Sequence, residues 1–394
     1  MVFPNEVINI IENLESHGYF AWAVGGCVRD MLIARTPKDY DIATNCPPVI
    51  VCALFPKCVI TGAAYGTVTV ITPTMPVEVT SFRQESDYHD SRHPKTVIHI
   101  DDIKTDLSRR DFTINAMAWN PHQGVFDPFC GKKDLENRLV RTVGDAQLRF
   151  EEDALRILRC LRFSSELDFD IHPLTLDAVQ RLAPNLSKIS TERIIKELCL
   201  LITGARPELL NILINAGGLA HCGFNRLINE NLLALIPASK SLRLAAVMWL
   251  SLESFSLSKA RRVLRGMRLD NKTINNVLNL LFALSRPLPK DKISLKHEFS
   301  ILPPEQWKGL LSLRSVLLGE DTSDVSKLLQ QVKDQPWNRS MLAVSGNDIL
   351  RLGIEGEKVG AILTALVGEV IKSPDVNNKD LLLAIASKYV ENNN

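Results

Sequence analysis

The chain has 394 residues, 45% of them hydrophobic, and a net charge of +1 from 46 basic and 45 acidic side chains. This length fits two to four domains at roughly 100 to 200 residues each, and the balanced charge argues against a uniformly basic coat for nucleic acid. Because Glu and Asn interrupt the apolar start and no apolar run reaches about 18 residues, we expect a cytoplasmic protein without a membrane segment.

The first third of the chain alternates helix and strand signals. "VINIIENLESHG" has helical periodicity ending at Gly18, and "FAWAVGG" is typical of a short buried strand entering a turn. "KDYDIAT", "TVTVIT" and "PVEVTSF" have the β-branched, near-alternating pattern of strands. From about residue 145 strand signals vanish and amphipathic or buried helical segments follow, separated by Pro and Gly. The pattern predicts an α/β head followed by an all-α remainder.

Two aspartates lie two residues apart on the strand predicted at "DYDIAT". Residues two apart on a strand point to one face, so Asp39 and Asp41 project their carboxylates side by side. Such a pair is costly unless a cation neutralises it, and carboxylates combined with substrate phosphates suit Mg²⁺. Glu78, on another predicted strand, is the candidate for a third carboxylate in a two-metal site. Solvent-exposed acids near strand ends are the alternative.

A glycine pair precedes these acids. Gly25 and Gly26 allow the backbone to approach a polyanion, and Arg29 follows at the start of a predicted helix whose N-terminus favours anions. An ordinary strand-to-helix turn is the alternative for the glycines alone. Together with the paired aspartates, they predict a triphosphate cradle that faces a metal site.

The segment "RRDFTINAMAWN" contains the next candidates, Arg110, Asp111 and Asn115. Arginine binds phosphate as a fork, and a carboxylate accepts hydrogen bonds from a ribose hydroxyl. A helix start with Asp111 as its cap is the alternative.

A regular spacing of three follows in "EEDALRILRCLRF". It predicts that Asp153, Arg156, Arg159 and Arg162 share one broad face of a single helix. Their acceptors and donors suit the Watson–Crick edge of a base, in which case the protein itself acts as the template. A ladder of salt bridges within the helix is the alternative.

Basic residues are concentrated between residues 256 and 275. We expect this run to contact a phosphate backbone, with a solvated helix face as the alternative. Its basic side chains are Lys259, Arg261, Arg262, Arg265, Arg268 and Lys272.

Four segments together resemble a known family. "GGCVRDMLIARTPKDYDIAT", "RRDFTINAMA", "EEDALRILRCLRF" and "ISTERIIKEL" are similar in order and spacing to the class II tRNA nucleotidyltransferases, the CCA-adding enzymes, relatives of bacterial poly(A) polymerases. The resemblance covers roughly residues 20 to 200. It implies an α+β protein with a polymerase-β-like nucleotidyltransferase head at 1–140, then an all-α neck at 141–205, body at 206–285 and tail at 286–394.

The resemblance also implies roles. Asp39 and Asp41 would hold catalytic Mg²⁺ with Glu78 assisting, and Gly25, Gly26 and Arg29 would bind the triphosphate. The ribose and phosphates would be held by Arg110, Asp111 and Asn115, and the base of CTP or ATP would be read by Asp153 and Arg156 with Arg159 and Arg162 in support. The segment "STERI" would buttress that pocket. The basic run would bind the acceptor and T arms of tRNA, and a homodimer is implied by relatives.

The implied reaction is template-independent addition of CCA to the 3′ end of tRNA. "ITGAAYGTVTV" resembles the form of the nucleotidyltransferases, and "RQESDYHDSRHPKTVIHIDD" resembles the flexible loop needed for the terminal A, with Asp90 and Arg92 inside it. We rank full CCA addition first, then A-addition, CC-addition and poly(A) synthesis. A catalytically silent tRNA-binding protein is the rival from another class.

The cysteines and one departure from the family complete the expectations. The eight cysteines form no Cys-x-x-Cys pair, which predicts reduced, mostly buried thiols. In "DPFCGKKDL", Cys130 stands where the family more often has glycine, which puts a hinge between head and neck in question.

Overall fold

The structure is a computed structural model that describes residues 3–62, 66–88, 94–251, 256–354 and 356–391. The chain forms two compact units, Met1–Glu230 with Gly266–Arg268, and Asn231–Arg265 with Leu269–Asn394. The first unit holds the predicted α/β head and the helices that follow it, and the described part of the second is helical.

A seven-stranded mixed sheet organises the head. Its strands are β1 (Ala21–Val24), β2 (Asp41–Thr44), β3 (Cys58–Gly62), β4 (Thr67–Ile71), β5 (Pro76–Ser81), β8 (Ala118–Asn120) and β9 (Gly124–Phe126). Their order across the sheet is β3-β4-β5-β2-β1-β8-β9. Strands β2 and β5 are parallel, and the other neighbouring pairs of this sheet are antiparallel. Two smaller pairs are a hairpin of β6 (Arg83–Tyr88) with β7 (Pro94–His99), and parallel β10 (Leu139–Val140) with β11 (Asp170–Ile171).

The helices of the first unit cover the sheet and extend beyond it. They are α1 (Asn5–Ser16), α2 (Gly26–Leu32), α3 (Pro48–Leu54), α4 (Ile103–Ser108), α5 (Gly131–Glu136), α6 (Ala146–Glu152), α7 (Leu155–Leu167), α8 (Pro173–Leu182), α9 (Thr191–Thr203) and α10 (Leu210–Asn215). Short 3₁₀ turns occupy Thr113–Asn115, Ala183–Lys188, Pro207–Leu209 and Ala220–Cys222. Helix α1 buries its apolar stripe of Val7, Ile10, Ile11 and Leu14 and packs beside β1.

Three expectations for this unit need correction. Asp39 precedes strand β2 and does not lie on it. The helix predicted through "EEDALRILRCLRF" is interrupted, because α6 ends at Glu152 and α7 begins at Leu155, so Asp153 lies between two helices. Strand structure also continues past residue 145, since β11 pairs with β10. In each case the tertiary environment overrides a local pattern.

The described residues of the second unit form ten α-helices, and the buried Arg314 joins two of them. Arg314 donates to the carbonyl oxygens of Ala283, Leu284 and Arg286 at 3.0, 3.2 and 2.7 Å, at the C-terminal end of the helix Asn271–Leu284. The helices are α11 (Leu232–Leu235), α12 (Lys240–Ser251), α13 (Leu257–Gly266), α14 (Asn271–Leu284), α15 (Lys292–Glu298), α16 (Pro304–Leu318), α17 (Ser323–Val332), α18 (Gly346–Leu350), α19 (Glu357–Lys372) and α20 (Lys379–Glu391), with 3₁₀ turns at Arg339–Met341 and Pro374–Val376. Within the described ranges, no helix has the length and hydropathy needed to cross a membrane.

The cysteines are not all free. Cys52 and Cys58 form a disulfide between α3 and β3 with their Cα atoms 5.1 Å apart, so the prediction of reduced thiols is wrong for this pair. Of the six free cysteines, Cys27, Cys46 and Cys160 are buried as predicted, whereas Cys130 is exposed and Cys199 and Cys222 are half-buried. No local pattern indicates the disulfide, because its sulfur atoms meet only where the end of α3 and the start of β3 come together.

Cys130 has a backbone conformation that favours glycine. It is exposed and lies in the left-handed region with φ 61° at the start of α5. The next residue, Gly131, has no room for a side chain, since a Cβ there would lie 2.3 Å from the carbonyl oxygen of Thr113. The steric requirement for glycine is therefore at Gly131, and Cys130 occupies the strained position beside it.

Candidate active site

A pocket of about 980 Å³ opens in the first unit and collects most of the predicted site. From the sequence predictions it includes Gly25, Gly26, Arg29, Asp39, Asp41, Arg110, Asp111, Asn115, Asp153, Arg156, Arg159 and Arg162. Its lining also includes Asp30, Arg35, Thr36, Lys38, Arg109, Phe163, Glu166, Lys196, Glu197 and Leu200. Residues more than 170 positions apart in the chain thus share one polar cavity.

The acidic corner of the pocket is built on the only parallel strand pair of the seven-stranded sheet. Asp41 begins β2 and lies in register with Glu78 on β5, so both side chains project from the same face. Asp39 is exposed and lines the pocket, whereas Glu78 is exposed but lies outside the pocket lining. Burial raises the pKa of Asp41 to about 6, Arg110 opposes this, and the charges of Asp39 and Glu78 add to it. A second positive charge at this corner would relieve the repulsion.

The donor set of this corner fits a hard divalent cation that also binds substrate. Carboxylate oxygens are the ligands Mg²⁺ prefers, and Mg²⁺ is commonly held by one or two carboxylates together with substrate phosphates. Among the described residues, no group of three or more His, Cys, Asp and Glu side chains forms a self-contained metal site. Asp39 and Asp41 could supply two carboxylates to such a cation, which would need further oxygen ligands such as phosphates.

Arg110 lies directly against the glycine turn. Gly25 precedes α2 with φ 79°, and a Cβ on it would lie 2.8 Å from Nη1 of Arg110. The Nε atom of Arg110 is buried and has no hydrogen-bond acceptor among the residues that the structure describes, although its Nη2 is 3.3 Å from Asp106. A buried donor without an acceptor is costly, and an anionic ligand at this point would satisfy it.

Contacts with Asn115 and Asp30 fix the side chain of Arg29. Its Nη1 donates to Oδ1 of Asn115 at 2.7 Å, and its Nη2 is 2.7 Å from Asp30. Asn115 in turn donates to Asp111 at 3.1 Å. Arg29 thereby ties the glycine turn to the "RRDFTIN" segment, and Asn115 is oriented by partners on both sides.

The buried Asp111 and the partly exposed Arg159 form an ion pair in the pocket lining. Nε and Nη2 of Arg159 lie 2.8 and 2.7 Å from Oδ2 of Asp111. Burial alone would raise the pKa of Asp111, but the charge of Arg159 and hydrogen bonds from Asn115 and Arg159 lower it to about 2. Asp111 is therefore ionised at every physiological pH and fixes the position of Arg159.

The residues predicted to read the base have protein partners of their own. Asp153 accepts from the backbone N–H of Leu155 at 3.0 Å and lies 2.9 Å from Nη2 of Arg193. Arg156 on α7 donates to Glu152 at 2.5 Å and to the carbonyl oxygen of Arg109 at 2.9 Å. The side chains of Asp153 and Arg156 are 18% and 11% exposed, so their orientation is set before a nucleotide enters.

Two residues of α9 join these groups. Glu197 is buried, with its carboxylate 2.9 Å from Nε of Arg162 and 3.6 Å from Nη1 of Arg159. Arg193, the partner of Asp153, lies in the "STERI" segment that was expected to buttress the pocket. Sequence reasoning did not single out Glu197, for which its spacing of four from Arg193 was the available signal.

The remaining predicted residues lie elsewhere. Asp90 and Arg92 are outside the described residues. The basic residues of the run 256–275 are all exposed, and α13 turns Ala260 and Leu264 inward while its basic side chains face solvent. On α13 itself these are Lys259, Arg261, Arg262 and Arg265; Arg268 follows the helix, and Lys272 lies on α14.

Comparison with known proteins gives consistent results. Residues 21–141 match the family model described as Poly A polymerase head domain, and residues 168–222 match the model described as Probable RNA and SrmB- binding site of polymerase A. A CCA-adding enzyme of Geobacillus stearothermophilus is 34% identical over 96% of this chain and 95% of its own length. One from Leuconostoc citreum is 36% identical over 97% and 96%.

Solved structures agree. The crystal structure of Bacillus stearothermophilus CCA-adding enzyme in complex with CTP superposes with a TM-score of 0.82 at 31% identity, covering 100% of this chain and 99% of the other. The Thermotoga maritima CCA-adding enzyme complexed with tRNA has a TM-score of 0.67 at 20% identity, over 98% and 96% of the two chains, which shows a shared fold.

Proposed function

The chain belongs to the family of CCA-adding enzymes, and from that membership we propose how its pocket adds C, C and A to the 3′ end of tRNA. The chain is a tRNA nucleotidyltransferase that uses CTP and ATP. The observation that supports the site assignment is the meeting of Asp39 and Asp41, the Gly25 turn, and the Asp111 to Arg162 network around one cavity.

Asp39 and Asp41 are proposed to hold Mg²⁺, with Glu78 as the assisting carboxylate. Bound there, the metal would supply charge neutralisation and a lower pKa for the attacking 3′-hydroxyl. The chain's own contribution is to place Asp41 where burial and the neighbouring charge of Asp39 make its ionised carboxylate costly without a cation. Pyrophosphate is released when the hydroxyl attacks the α-phosphorus.

The triphosphate is proposed to lie between the glycine turn and Arg110. Gly25 and Gly26 leave the backbone open, and the buried Nε of Arg110, which has no acceptor among the described residues, is a donor that a phosphate oxygen could satisfy. Arg29 supports this wall through Asn115, and Asp111 and Asn115 are proposed to contact the ribose. Such oriented donors act without reorganisation during the reaction.

Base selection is proposed for Asp153 and Arg156, with Arg159 and Arg162 as the supporting wall. The ion pairs to Arg193, Glu152, Asp111 and Glu197 hold these side chains in place. A template made of protein needs donors and acceptors at set positions, because each correct hydrogen bond discriminates only if its partner cannot adapt to a wrong base.

The helical half is proposed to bind tRNA by shape and phosphate charge, through Lys259, Arg261, Arg262, Arg265, Arg268 and Lys272. The division into head at 1–140, neck at 141–205, body at 206–285 and tail at 286–394 stays a prediction, as do the homodimer and the cytoplasmic location. So does the role of Asp90 and Arg92 in adding the terminal A.

The deciding experiment offers labelled CTP and ATP, with Mg²⁺, to three tRNA transcripts ending before the CCA, after the first C and after CC. We expect all three to be completed to CCA and extension to stop there. Addition of A to the last transcript alone would indicate an A-adding enzyme, incorporation of C without A would indicate a CC-adding enzyme, and long A tails would indicate a poly(A) polymerase.

The catalytically silent tRNA-binding protein is tested by Asp41→Ala. We expect this variant to lose metal-dependent CTP binding while it retains tRNA binding. Unchanged affinity for CTP, together with no incorporation by the unmodified chain, would support the silent protein.

A further inference from the structure

Lys38 is a cation on the pocket wall to which neither the sequence motifs nor the assignments above give a role. It immediately precedes Asp39, and its side chain is 81% exposed. Its ammonium lies 3.7 Å from a carboxylate oxygen of Glu166. This distance permits an ion pair but exceeds that of a hydrogen bond, so the pair is weak and easily exchanged.

Glu166, by contrast, is held firmly. It lies on α7 one turn beyond Arg162, whose Nη1 donates to it at 2.8 Å, and it is 26% exposed. Burial would raise the pKa of Glu166, but the hydrogen bond and charge of Arg162, with Lys38 and Arg29, lower it. Glu166 is thus an ionised anchor with a strong partner and a weak one.

Three guanidinium groups of the pocket differ from Lys38. Arg29, Arg159 and Arg162 are 7%, 31% and 11% exposed, and each lies within 3 Å of a carboxylate oxygen, at 2.7, 2.7 and 2.8 Å. A polyanion that took these arginines as its main partners would compete with these short contacts. Lys38 can exchange its partner at much smaller cost, and it lines the same pocket as the glycine turn and Arg110, where the phosphates are proposed to lie.

We propose that Lys38 is a further binding residue for the triphosphate of CTP and ATP, paired with Glu166 before nucleotide binds and transferred to the phosphates when nucleotide enters. Glu166 is then a positioning residue that competes with the substrate for this cation. The inference rests on the proposed function, because it takes CTP and ATP as the ligands of the pocket.

The test compares two substitutions with opposite expected effects on the dissociation constant of CTP, measured by calorimetry with Mg²⁺ and again in EDTA. Lys38→Met removes the cation, and we expect about tenfold weaker binding, the usual loss for a hydrogen bond to a charged group. Glu166→Gln keeps an acceptor for Arg162 but releases Lys38. We expect it to tighten binding by about 1.5-fold to fivefold.

The double variant Lys38→Met/Glu166→Gln should match Lys38→Met alone, since the competitor no longer has a cation to hold. Lys57→Met, an exposed lysine of the head outside this pocket, is the matched control and should leave CTP affinity unchanged. If both single variants weaken CTP binding, Lys38 and Glu166 only support the pocket and the inference is overturned.

Two other outcomes would also overturn it. Unchanged CTP affinity of Lys38→Met, with normal CCA synthesis by the unmodified chain, would reject the inference and leave the proposed function intact. A raised KM for tRNA at unchanged CTP affinity would assign Lys38 to the tRNA backbone. Failure of the unmodified chain to incorporate CTP or ATP would instead reject the proposed function.

Discussion

Asp41 shows how a carboxylate proposed to bind metal can lower the stability of the fold that carries it. Its pKa is raised from 3.8 to about 6, mainly by burial and further by Asp39 and Glu78. A carboxyl whose pKa is raised on folding destabilises the folded state when ionised, so stability falls as pH rises from about 4 to 6 and stays reduced above. In the metal-free protein at neutral pH, the ionised Asp41 therefore lowers the free energy of unfolding.

Asp41→Asn should make the metal-free protein more stable at pH 7 while abolishing nucleotide addition. A difference of two pKa units corresponds to about 3 kcal/mol at most, and we expect about 1 to 2 kcal/mol because solvent reaches part of the side chain. Urea unfolding in EDTA at pH 7.5 and pH 4 measures it. The gain should disappear at pH 4; a variant equally stabilised at both pH values would show that charge is not the cause.

The ion pair of the buried Asp111 with Arg159 has the opposite effect on folding stability, because it lowers the pKa of Asp111. The pKa of Asp111 is lowered to about 2, so the pair stabilises the fold above about pH 4 and this contribution is lost as pH falls through 2. We expect Asp111→Asn to cost about 3 kcal/mol at pH 7, because it leaves Arg159 without its main partner. The deficit should shrink at pH 3.

Urea unfolding at the two pH values checks the expectation for Asp111. Asp177→Asn on α8 is the control, since it removes a carboxylate that pairs with Arg181 at 2.9 Å on the exposed surface, where such pairs contribute at most about 1 kcal/mol. Equal losses for the two variants would contradict a special role of burial at Asp111.

Among the secondary-structure elements, the start of α5 packs against a turn that carries a pocket residue. Gly131 packs against the Thr113–Asn115 turn, which carries Asn115, and a Cβ there would lie 2.3 Å from the Thr113 carbonyl oxygen and 2.9 Å from Met117. Backbone atoms on one side cannot rotate away as a flexible side chain can. The close approach therefore positions a pocket residue through its backbone.

Gly131→Ala should destabilise the first unit by about 2 kcal/mol or more and weaken CTP binding, since the turn must move. The neighbouring Cys130→Gly should be neutral or stabilising by up to about 1 kcal/mol, because relief of the left-handed conformation is offset by the greater freedom of glycine in the unfolded chain. Thermal unfolding and CTP titration distinguish them. A tolerated Gly131→Ala would contradict the close packing.

At the scale of the whole molecule, nucleotide chemistry and the proposed tRNA contacts lie in different parts of the chain. The pocket residues all belong to the first unit, and the basic helix α13 belongs almost entirely to the second. Its exposed arginines can therefore be changed without altering any residue of the pocket.

Arg261→Gln/Arg262→Gln/Arg265→Gln should weaken tRNA binding by about tenfold or more and reduce the slope of log affinity against log salt by about 2 to 3. CTP affinity should not change. Filter binding at several salt concentrations measures the affinity for tRNA and its salt slope, with Lys327→Gln on α17 as a surface control. An unaltered salt slope would show that α13 is a solvated face, the alternative considered from the sequence.

Short sequence patterns were enough to propose the chemistry. Paired acids, adjacent glycines and regularly spaced arginines depend on residue types and short spacings, so Asp39, Asp41, Gly25 and Arg156 could be proposed as site residues without coordinates, and the structure places all four in one pocket. The change from an α/β head to helices could also be predicted from the sequence, since strand alternation and helical periodicity are local patterns. Membership of the family followed from the order of these segments.

Which charged and polar side chains pair with one another depends on the tertiary structure. Asp111 and Arg159 lie 48 residues apart, Arg29 and Asn115 lie 86 apart, and Glu197 contacts arginines from another helix. No periodicity encodes such pairs, because they arise only when helices pack. The break at Asp153, the disulfide, the raised pKa of Asp41 and the loose pairing of Lys38 likewise depend on burial and distance, which a linear pattern does not contain.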